Sequence, residues 1–183
     1  MADPATSLPP QLPEEGDDER RTGGDPVPEE HVGGWRAFAV LGEFLRDDGW
    51  HPQQLDNRTI FRAYFAGEHG DVRCYAQIRV DLEQFLFYVI APVKAPEPMI
   101  PAVVEYITRA NYGLRIGGFE LDYTDGEVRY RSSLDFEHET LTPGLIRNAI
   151  YPAVHTMDFY LPGLLAVMYG NKTPKEAITE IEG

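Results

Sequence analysis

The chain has 183 residues, 43% of them hydrophobic, which is enough for one buried core and too short for two full domains. It carries 30 acidic and 16 basic residues, for a formal net charge of −14. Proteins that bind a nucleic-acid backbone normally present clustered Lys and Arg, so this balance argues against a nucleic-acid partner. The start lacks the basic and apolar regions of a secretory signal, and the apolar runs are too short to span a bilayer. We therefore expect a cytoplasmic protein with no membrane partner.

Residues 1–34 differ in composition from the rest of the chain. Pro, Gly, Asp and Glu are clustered there, and nine acidic residues stand against only Arg20 and Arg21. A segment with so few large apolar residues cannot bury enough surface to offset the entropy lost on ordering. The pattern predicts a disordered acidic tail over residues 1–34 and a folded domain over residues 35–183.

The first half of this domain has the pattern of one helix followed by three strands. From Trp35, apolar residues recur at helical spacing until Gly49. Residues 58–66 and 72–80 alternate apolar and polar residues, which indicates strands with one buried face, whereas residues 84–92 are apolar on both faces. The connections are short enough for antiparallel hairpins.

The second half has the pattern of a helix, a hairpin and two further helices. Residues 96–113 form an apolar helical stripe, residues 119–131 a hairpin, and residues 142–170 a long helical region that Pro152 and Pro162 should kink or divide. Thr173 and Glu176 have capping-box spacing, which predicts a short last helix. The order α-βββ-α-ββ-α-α predicts an α+β domain built on one antiparallel sheet of about five strands.

The hairpin "FELDYTDGEVRYR" combines acids and arginines and could be taken for an acid–base site. A two-residue Asp125-Gly126 loop would set its register, pairing Tyr123 with Val128, Asp122 with Arg129, Leu121 with Tyr130 and Glu120 with Arg131. Arginine neighbours would keep both acids ionised, whereas acid–base catalysis needs two carboxyls with separated pKa values. We interpret the hairpin as structural.

Other candidates for chemistry are weak. Cys74 falls on the apolar side of its strand, which indicates a buried thiol, and a single cysteine excludes an internal disulfide or a CxxC site. The five histidines are scattered, and His138 could join a metal site only in a loop geometry. Without a nucleophile motif, a phosphate-binding loop or clustered aspartates, we expect no catalytic residue, no metal and no cofactor, and hence no enzyme.

Two surfaces remain as candidates for binding, and the first is the polar face of the early strands. Arginine and tyrosine, which interfaces favour, are interleaved there: Arg58, Arg62, Tyr64, Arg73, Tyr75 and Arg79. This face could bind a protein partner or the chain's own acidic tail. Alternatively, nearby acids neutralise the arginines on a solvated face; these acids are Asp81, Glu83, Glu120 and Asp122.

The second surface is the stretch from residue 149 to 169, where Asp158 is the only formal charge. Large apolar side chains occupy most of its circumference as a helix: Tyr151, Met157, Phe159, Tyr160, Leu161, Leu164, Leu165 and Met168. They could form the interface of a homodimer or a groove for a client protein. Alternatively, Pro162 divides the stretch into two helices that bury different faces in one core.

Three segments resemble the YbjN family of bacterial sensory-transduction regulators, within the type III secretion chaperone-like fold. They are "NYGLRIGGFELDYTDGEVRYR" at 111–131, "DFYLP" at 158–162 and "YGNKTPKEAI" at 169–178. The resemblance extends over about residues 35–183. It implies chaperone-like or regulatory protein binding, often as dimers, and brings no catalytic residue.

The sequence thus supports two hypotheses. The first is a non-enzymatic protein-binding module, chaperone-like or regulatory, that acts as a homodimer. The second is a small-anion-binding sensor or enzyme with a pocket between the sheet and the long helix, in which Arg62, Arg73 or Arg79 holds the anion.

Overall fold

The computed structural model describes residues 31–56 and 58–183, so residues 1–30 of the predicted disordered tail lie outside the described part. The helices are α1 (Val32–Asp47), α2 (Ile100–Gly113), α3 (Pro143–Tyr169) and α4 (Pro174–Glu182). The strands are β1 (Gln53–Gln54), β2 (Ile60–Ala66), β3 (Asp71–Arg79), β4 (Gln84–Ile90), β5 (Gly118–Leu121) and β6 (Val128–Asp135). A short 3₁₀ turn, Glu97–Met99, leads into α2.

The six strands form one sheet in the order β1-β2-β3-β4-β6-β5, and every pair of neighbours is antiparallel. This confirms the predicted α+β class with one strand more than expected. The additional strand, β1, pairs only with Arg62 and Phe61 of β2. Its two residues are both glutamines, so the sequence there shows no apolar alternation from which a strand could be predicted.

The helices lie together on one side of the sheet. Phe38 of α1 stacks on Phe61 of β2 with ring centroids 4.8 Å apart, and buried residues of all four helices belong to the same apolar core as the inner face of the sheet. That inner face consists of Phe61, Ala63, Val72, Cys74, Ala76, Ile78, Phe85, Phe87, Val89, Phe119, Val128 and Tyr130. Because side chains alternate along a strand, the remaining strand residues point to the opposite face.

α3 is one continuous helix of 27 residues with Pro152 and Pro162 inside it, as in the predicted element order, so the alternative in which Pro162 divides it is wrong. Each proline removes a hydrogen-bond donor to the carbonyl four residues earlier, at Asn148 and Asp158. Asn148 is exposed and Asp158 partly exposed, so both positions lie toward the solvent-facing side of the helix. Packing against α1, α2, α4 and the sheet holds the helix together across both positions.

Asp158, the only charge in the apolar part of α3, ties this helix to the turn between β2 and β3. Its carboxylate accepts hydrogen bonds from the backbone N–H groups of Glu68 (3.1 Å) and His69 (2.8 Å). The Nδ1 atom of His69 lies 3.4 Å from the same carboxylate. Burial acts to raise the pKa of Asp158, but the hydrogen bonds from His69 and Glu68 outweigh it and hold the pKa below its ordinary value.

The β5–β6 hairpin has a longer loop than the sequence predicts. Leu121 pairs with Val128 and Glu120 with Arg129, two positions away from the predicted register. The loop is longer because Asp122 organises it: its carboxylate accepts from Thr124 N (2.7 Å) and its backbone carbonyl from Gly126 N (2.8 Å). The shift is an even number of residues, so each side chain keeps its predicted face.

Side chains cap the starts of α3 and α4, and the second of these caps confirms the prediction. The Thr142 side chain accepts a hydrogen bond from the backbone N–H of Leu145 at the start of α3. Thr173 and Glu176 form the expected reciprocal capping box at the start of α4. Both caps satisfy backbone donors that a helix start leaves free.

The outer edge of β5 is closed by a side chain of α2. The Asn111 side-chain amide donates to the carbonyl of Phe119 (3.0 Å), and its oxygen accepts from the Phe119 N–H (2.7 Å). One amide side chain thus replaces a neighbouring strand for this residue.

Candidate binding face

The outer face of the sheet, opposite the helices, concentrates arginine and tyrosine. We call it the arginine–tyrosine face; it carries Arg62, Tyr64, Arg73, Tyr75, Arg79, Tyr88, Arg129 and Arg131 around the apolar Ile60, Leu86 and Ile90. The buried apolar residues of this face come from the strands alone, together with Leu55. No helix of the described residues contributes to that cluster.

The strand register aligns these residues in rows across the sheet. The first row crosses β2, β3, β4 and β6 and consists of one residue from each strand: Arg62, Tyr75, Tyr88 and Arg131. A second row places Tyr64, Arg73, Ile90 and Arg129 beside it. Each row is about 14 Å long, because neighbouring strands lie about 4.8 Å apart.

Five of the six residues predicted for this face are therefore brought together. Arg58 is the exception: it is exposed, precedes β2, and its carbonyl accepts a hydrogen bond from the Gln54 side chain (3.0 Å). Sequence reasoning missed Tyr88, Arg129 and Arg131 as members of the face. The signal was present in the alternation of β4 and β6, but it could be used only with the strand order, which places β6 beside β4.

Two arginines lie over tyrosine rings of the face. The guanidinium carbon of Arg129 is 4.7 Å from the ring centroid of Tyr88, and that of Arg73 is 5.7 Å from the centroid of Tyr75. Both rings are buried. Burial raises the pKa of both phenols, against the opposing effect of the nearby arginines. The two rings are therefore uncharged and can bind cations through their π faces.

Part of the charge on the face is neutralised within the chain. The carboxylate of Glu120 bonds to Arg129 (2.8 Å) and Arg131 (2.6 Å), and Asp81 pairs with Arg79 at 3.5 Å. Burial acts to raise the pKa of Glu120, but hydrogen bonds from the two arginines hold it below its ordinary value.

The other two acids that the sequence offered as neutralising partners bind elsewhere. Asp122 accepts from Thr124 in the hairpin loop, and Glu83 accepts from the backbone N–H of His138 (3.4 Å). Neutralisation of the face by the predicted acids is thus only partial.

Arg73 is the least satisfied arginine of the face. It forms no ion pair with any carboxylate of residues 31–56 and 58–183, and its contact there is with the ring of Tyr75. The Nε atoms of Arg62, Arg73 and Arg79 are buried without a hydrogen-bond partner among the described residues. The Arg62 guanidinium binds the neutral side chain of Gln53 (2.6 Å). Since a guanidinium has five donors, all three retain unused hydrogen-bonding capacity.

Glu127 is a buried acid next to this face. It precedes Val128, which belongs to the inner face, and its side chain is only 4% exposed. Burial raises its pKa, with a further contribution from the charge of Asp125; the charges of Arg129 and Arg73 act in the opposite direction. In the described residues Glu127 makes no ion pair, so it leaves the guanidinium of Arg73 without a carboxylate.

The predicted interface on α3 is mostly inside the protein. Met157, Tyr160, Leu161, Leu164 and Met168 are at most 7% exposed and belong to the core. The chain covers them itself, because α1, α2, α4 and the sheet surround α3. Only Phe159 is well exposed, at 48%, while Tyr151 and Leu165 are partly buried.

The predicted anion pocket between the sheet and the long helix is wrong in its position. Arg62, Arg73 and Arg79 point to the face opposite α3, so they cannot line a space between α3 and the sheet. A cavity of about 480 Å³ lies instead between α1 and the start of α3. Three acids, Glu43, Asp47 and Asp48, and one arginine, Arg147, are among its lining residues. This excess of acids does not suit an anion.

The described residues offer little for metal or thiol chemistry. No group of three or more His, Cys, Asp or Glu side chains within residues 31–56 and 58–183 is placed to hold a metal ion. Cys74 is fully buried, as predicted, and burial raises the pKa of its thiol. A buried thiol with a raised pKa is a poor nucleophile.

Among the helices that the structure describes, none combines the length and the apolar character needed to cross a membrane.

No curated protein sequence matches the chain. A solved structure with the same fold is that of "YbjN, a putative transcription regulator from E. coli". It is 15% identical, with a TM-score of 0.51, and the match covers 73% of this chain and 89% of that one.

The sequence profile of the YbjN family, described as "Putative bacterial sensory transduction regulator", matches residues 37–166. The matched region runs from α1 into α3 and includes the whole sheet. With more than half of its length matched, this chain belongs to the YbjN family.

Proposed function

We propose that the protein is a regulatory, non-catalytic module that binds an acidic segment of a partner protein on the arginine–tyrosine face. The description of its family as a regulator supports a non-catalytic role. A chaperone-like mode of binding and a cytoplasmic location are part of the same proposal. The single observation that carries it is Arg73, whose guanidinium has no carboxylate partner among the described residues although it lies in a row of arginine and tyrosine side chains.

The composition of the face suits an extended acidic chain. Arginine binds carboxylates in a planar, bidentate geometry, and Tyr64, which is 63% exposed, offers a large apolar ring with one polar end. The first row places Arg62 and Arg131 at the two ends of the buried pair Tyr75 and Tyr88, and the second row begins with the exposed Tyr64. An extended segment with acidic and apolar residues in alternation would therefore satisfy both kinds of contact.

The charge of the face also favours an acidic partner. Its five arginines stand against five carboxylates, four on the same side of the sheet and that of Asp81, which pairs with Arg79; the four are Asp71, Glu120, Glu127 and Asp135. The face is thus close to neutral, whereas the whole chain carries −14. A partner with negative charge would be repelled by most of the surface and least here, which favours this face as its docking position.

The test is binding of a fluorescent oligo-glutamate peptide to the full chain, followed by anisotropy. Replacing both Arg62 and Arg73 by Ala should weaken binding by roughly tenfold or more, because a hydrogen bond to a charged group contributes about 1.5–3 kcal/mol. The matched control replaces Arg36 and Arg115 by Ala; both are exposed and make no ion pair in the described residues. This control removes the same charge and should leave binding almost unchanged.

Three results would overturn the proposal. Equal weakening by the two double variants would show attraction to net charge alone. Tighter binding of a single-stranded oligonucleotide of the same charge would indicate a nucleic-acid partner. Binding of inorganic phosphate at this face without any binding of the peptide would support the small-anion sensor instead. Circular dichroism of each variant checks that the fold is intact.

The predicted homodimer is a second proposal, with a smaller interface than the sequence indicated. Its support is the outer side of α3, where Phe159 and Tyr169 are 48% and 59% exposed and Leu165 is partly exposed. Between residues 149 and 169 the only charge is Asp158, which is bound to the β2–β3 turn.

A second copy would cover this uncharged stripe, and light scattering combined with size-exclusion chromatography measures the mass. Phe159→Ser should shift a dimer toward monomer, while Tyr112→Ser, at a side chain that is 96% exposed on α2, should not. A wild-type chain that is monomeric at every concentration tested would contradict the dimer and leave the first proposal intact.

A further inference from the structure

We infer that the acidic N-terminal segment of the chain, residues 1–30, binds the arginine–tyrosine face of the same molecule and competes there with the partner. The binding itself does not depend on the proposed function. Its regulatory consequence does, because a segment that occupies the face excludes an acidic partner from it.

The first support is the point at which the segment joins the folded domain. α1 begins at Val32, and its first turn lies against the connection between β3 and β4. A side-chain carbon at Gly34 would collide with the backbone of Val80, and one at Gly33 with the side chain of Glu83. The segment therefore enters at the end of the sheet where Arg79 is paired with Gln84.

The second support is reach. The densest acidic stretch of the segment contains Glu14, Glu15, Asp17, Asp18 and Glu19. It is separated from residue 31 by roughly a dozen residues, and a chain of that length can span at most about 40 Å. Arg73 lies six positions from Arg79 along β3, which is about 20 Å, so this stretch can reach the rows of the face. Because the segment is attached, its effective concentration at the face is of millimolar order.

The third support is charge. Residues 1–30 contain nine acidic residues and two arginines. The described residue with the clearest need for a carboxylate is Arg73, and the Nε donors of Arg62 and Arg79 are also unused among the described residues. The segment supplies the acidic groups that these donors lack, at the end of the chain nearest to Arg79.

A spin label on the full chain tests the contact directly. Thr22→Cys places the label beside the acidic stretch, and the buried Cys74 should not react. The label causes paramagnetic relaxation enhancement of nearby amide signals in the NMR spectrum. We expect this enhancement at the amides of Arg73 and Tyr88 and none at the amide of Ala110 on α2. Raising the salt from about 0.1 to 1 M shortens the Debye length from about 10 to 3 Å and should abolish the effect.

Charge variants in the same labelled chain provide the matched comparison. Neutralising Asp17, Asp18 and Glu19 to the amides should remove the enhancement and strengthen binding of the oligo-glutamate peptide several-fold. Neutralising Glu43, Asp47 and Glu97, three exposed acids of the helical side, changes the net charge equally and should alter neither.

Two outcomes would overturn the inference. One is an absence of enhancement on the face at low salt. The other is enhancement that is as strong in an isotope-labelled chain mixed with a separate spin-labelled chain, since the contact would then join two molecules. If the contact is absent but the Arg62 and Arg73 variants still lose peptide binding, the inference fails and the proposed function stands.

Discussion

The hydroxyl of Tyr106 donates a hydrogen bond of 2.8 Å to the backbone carbonyl of Tyr160, joining α2 to α3 inside the core. The Tyr106 side chain is 1% exposed. We predict that Tyr106→Phe lowers the free energy of unfolding by about 1 kcal/mol, because it removes this bond and leaves the ring in place. Urea denaturation measures the change. Tyr112→Phe, on the exposed side of the same helix, should have no effect, and an equal loss there would refute the assignment.

Gly163 is the position on α3 that lets Tyr106 approach. A Cβ atom at Gly163 would collide with the Tyr106 hydroxyl and lie 3.0 Å from Ile181. Gly163→Ala should cost about 1–3 kcal/mol through overpacking. In a double variant with Tyr106→Phe, part of this cost should disappear, since the colliding hydroxyl is gone. Strict additivity in the urea titrations would show that the two residues are not in contact.

Leu164 distinguishes a core residue from an interface residue. It is 1% exposed, and a glutamate there would be buried without a partner, so Leu164→Glu should unfold the protein rather than dissociate it. The milder Leu164→Ala should cost about 2–5 kcal/mol. Phe159→Ala, at the exposed side of the helix, should cost much less. A folded, monomeric Leu164→Glu variant in circular dichroism and light scattering would contradict this placement.

Asp158 should make the stability of the protein depend on acidic pH. Its depressed pKa means that it contributes stability above its unfolded pKa of about 3.9, and that this contribution is lost as the pH falls through the folded value. Asp158→Asn should therefore cost about 1–2 kcal/mol at neutral pH, and the difference from wild type should shrink toward pH 2 or so. Asp47→Asn, an exposed position on α1, is the control. If the difference in the free energy of unfolding between Asp158→Asn and wild type does not change with pH, the charge of the carboxylate is not its cause.

The ionised side chain of Glu127 should lower the stability of the protein at neutral pH, whereas that of Asp158 raises it. Burial raises the pKa of Glu127, so its ionised form costs stability above the folded pKa, and the cost disappears below the unfolded value of about 4.3. Glu127→Gln should stabilise the protein at neutral pH and change little at about pH 4. Glu97→Gln, at an exposed site, should be neutral at both. A loss of stability on Glu127→Gln at neutral pH would show that the negative charge is needed there, most directly by Arg73.

Most of the fold follows from periodicity and from local signals in the sequence. Alternation identified β2 and β3, and the Thr173–Glu176 pair identified the start of α4. The hairpin register was wrong because Asp-Gly is a strong signal for a two-residue loop, whereas Asp122 closes a longer one through its own side chain and backbone. Such a competition between two turns is decided by side-chain contacts that a residue pattern does not encode.

The candidate face could be predicted only in part, for a reason of topology. Each strand showed its own polar side, but the placement of β6 next to β4 is a tertiary feature, and it adds Arg129 and Arg131 to the rows. The same limit applies to α3. Its apolar circumference suggested a partner molecule, yet α1, α2 and α4 of the same chain supply most of the cover. A helix pattern shows how much surface must be buried and does not show what buries it.

The two edges of the sheet differ in a way that affects how the protein behaves at high concentration. At β5, Asn111 occupies the backbone groups of Phe119 and closes the edge. At the other edge, β1 covers only Phe61 and Arg62, so the outward backbone groups of β2 from residue 63 to 66 have no strand beside them among the described residues. An open strand edge is a template for aggregation. We therefore expect edge-to-edge pairing between copies to use the β2 end of the sheet and not the β5 end, which would limit such pairing to two copies.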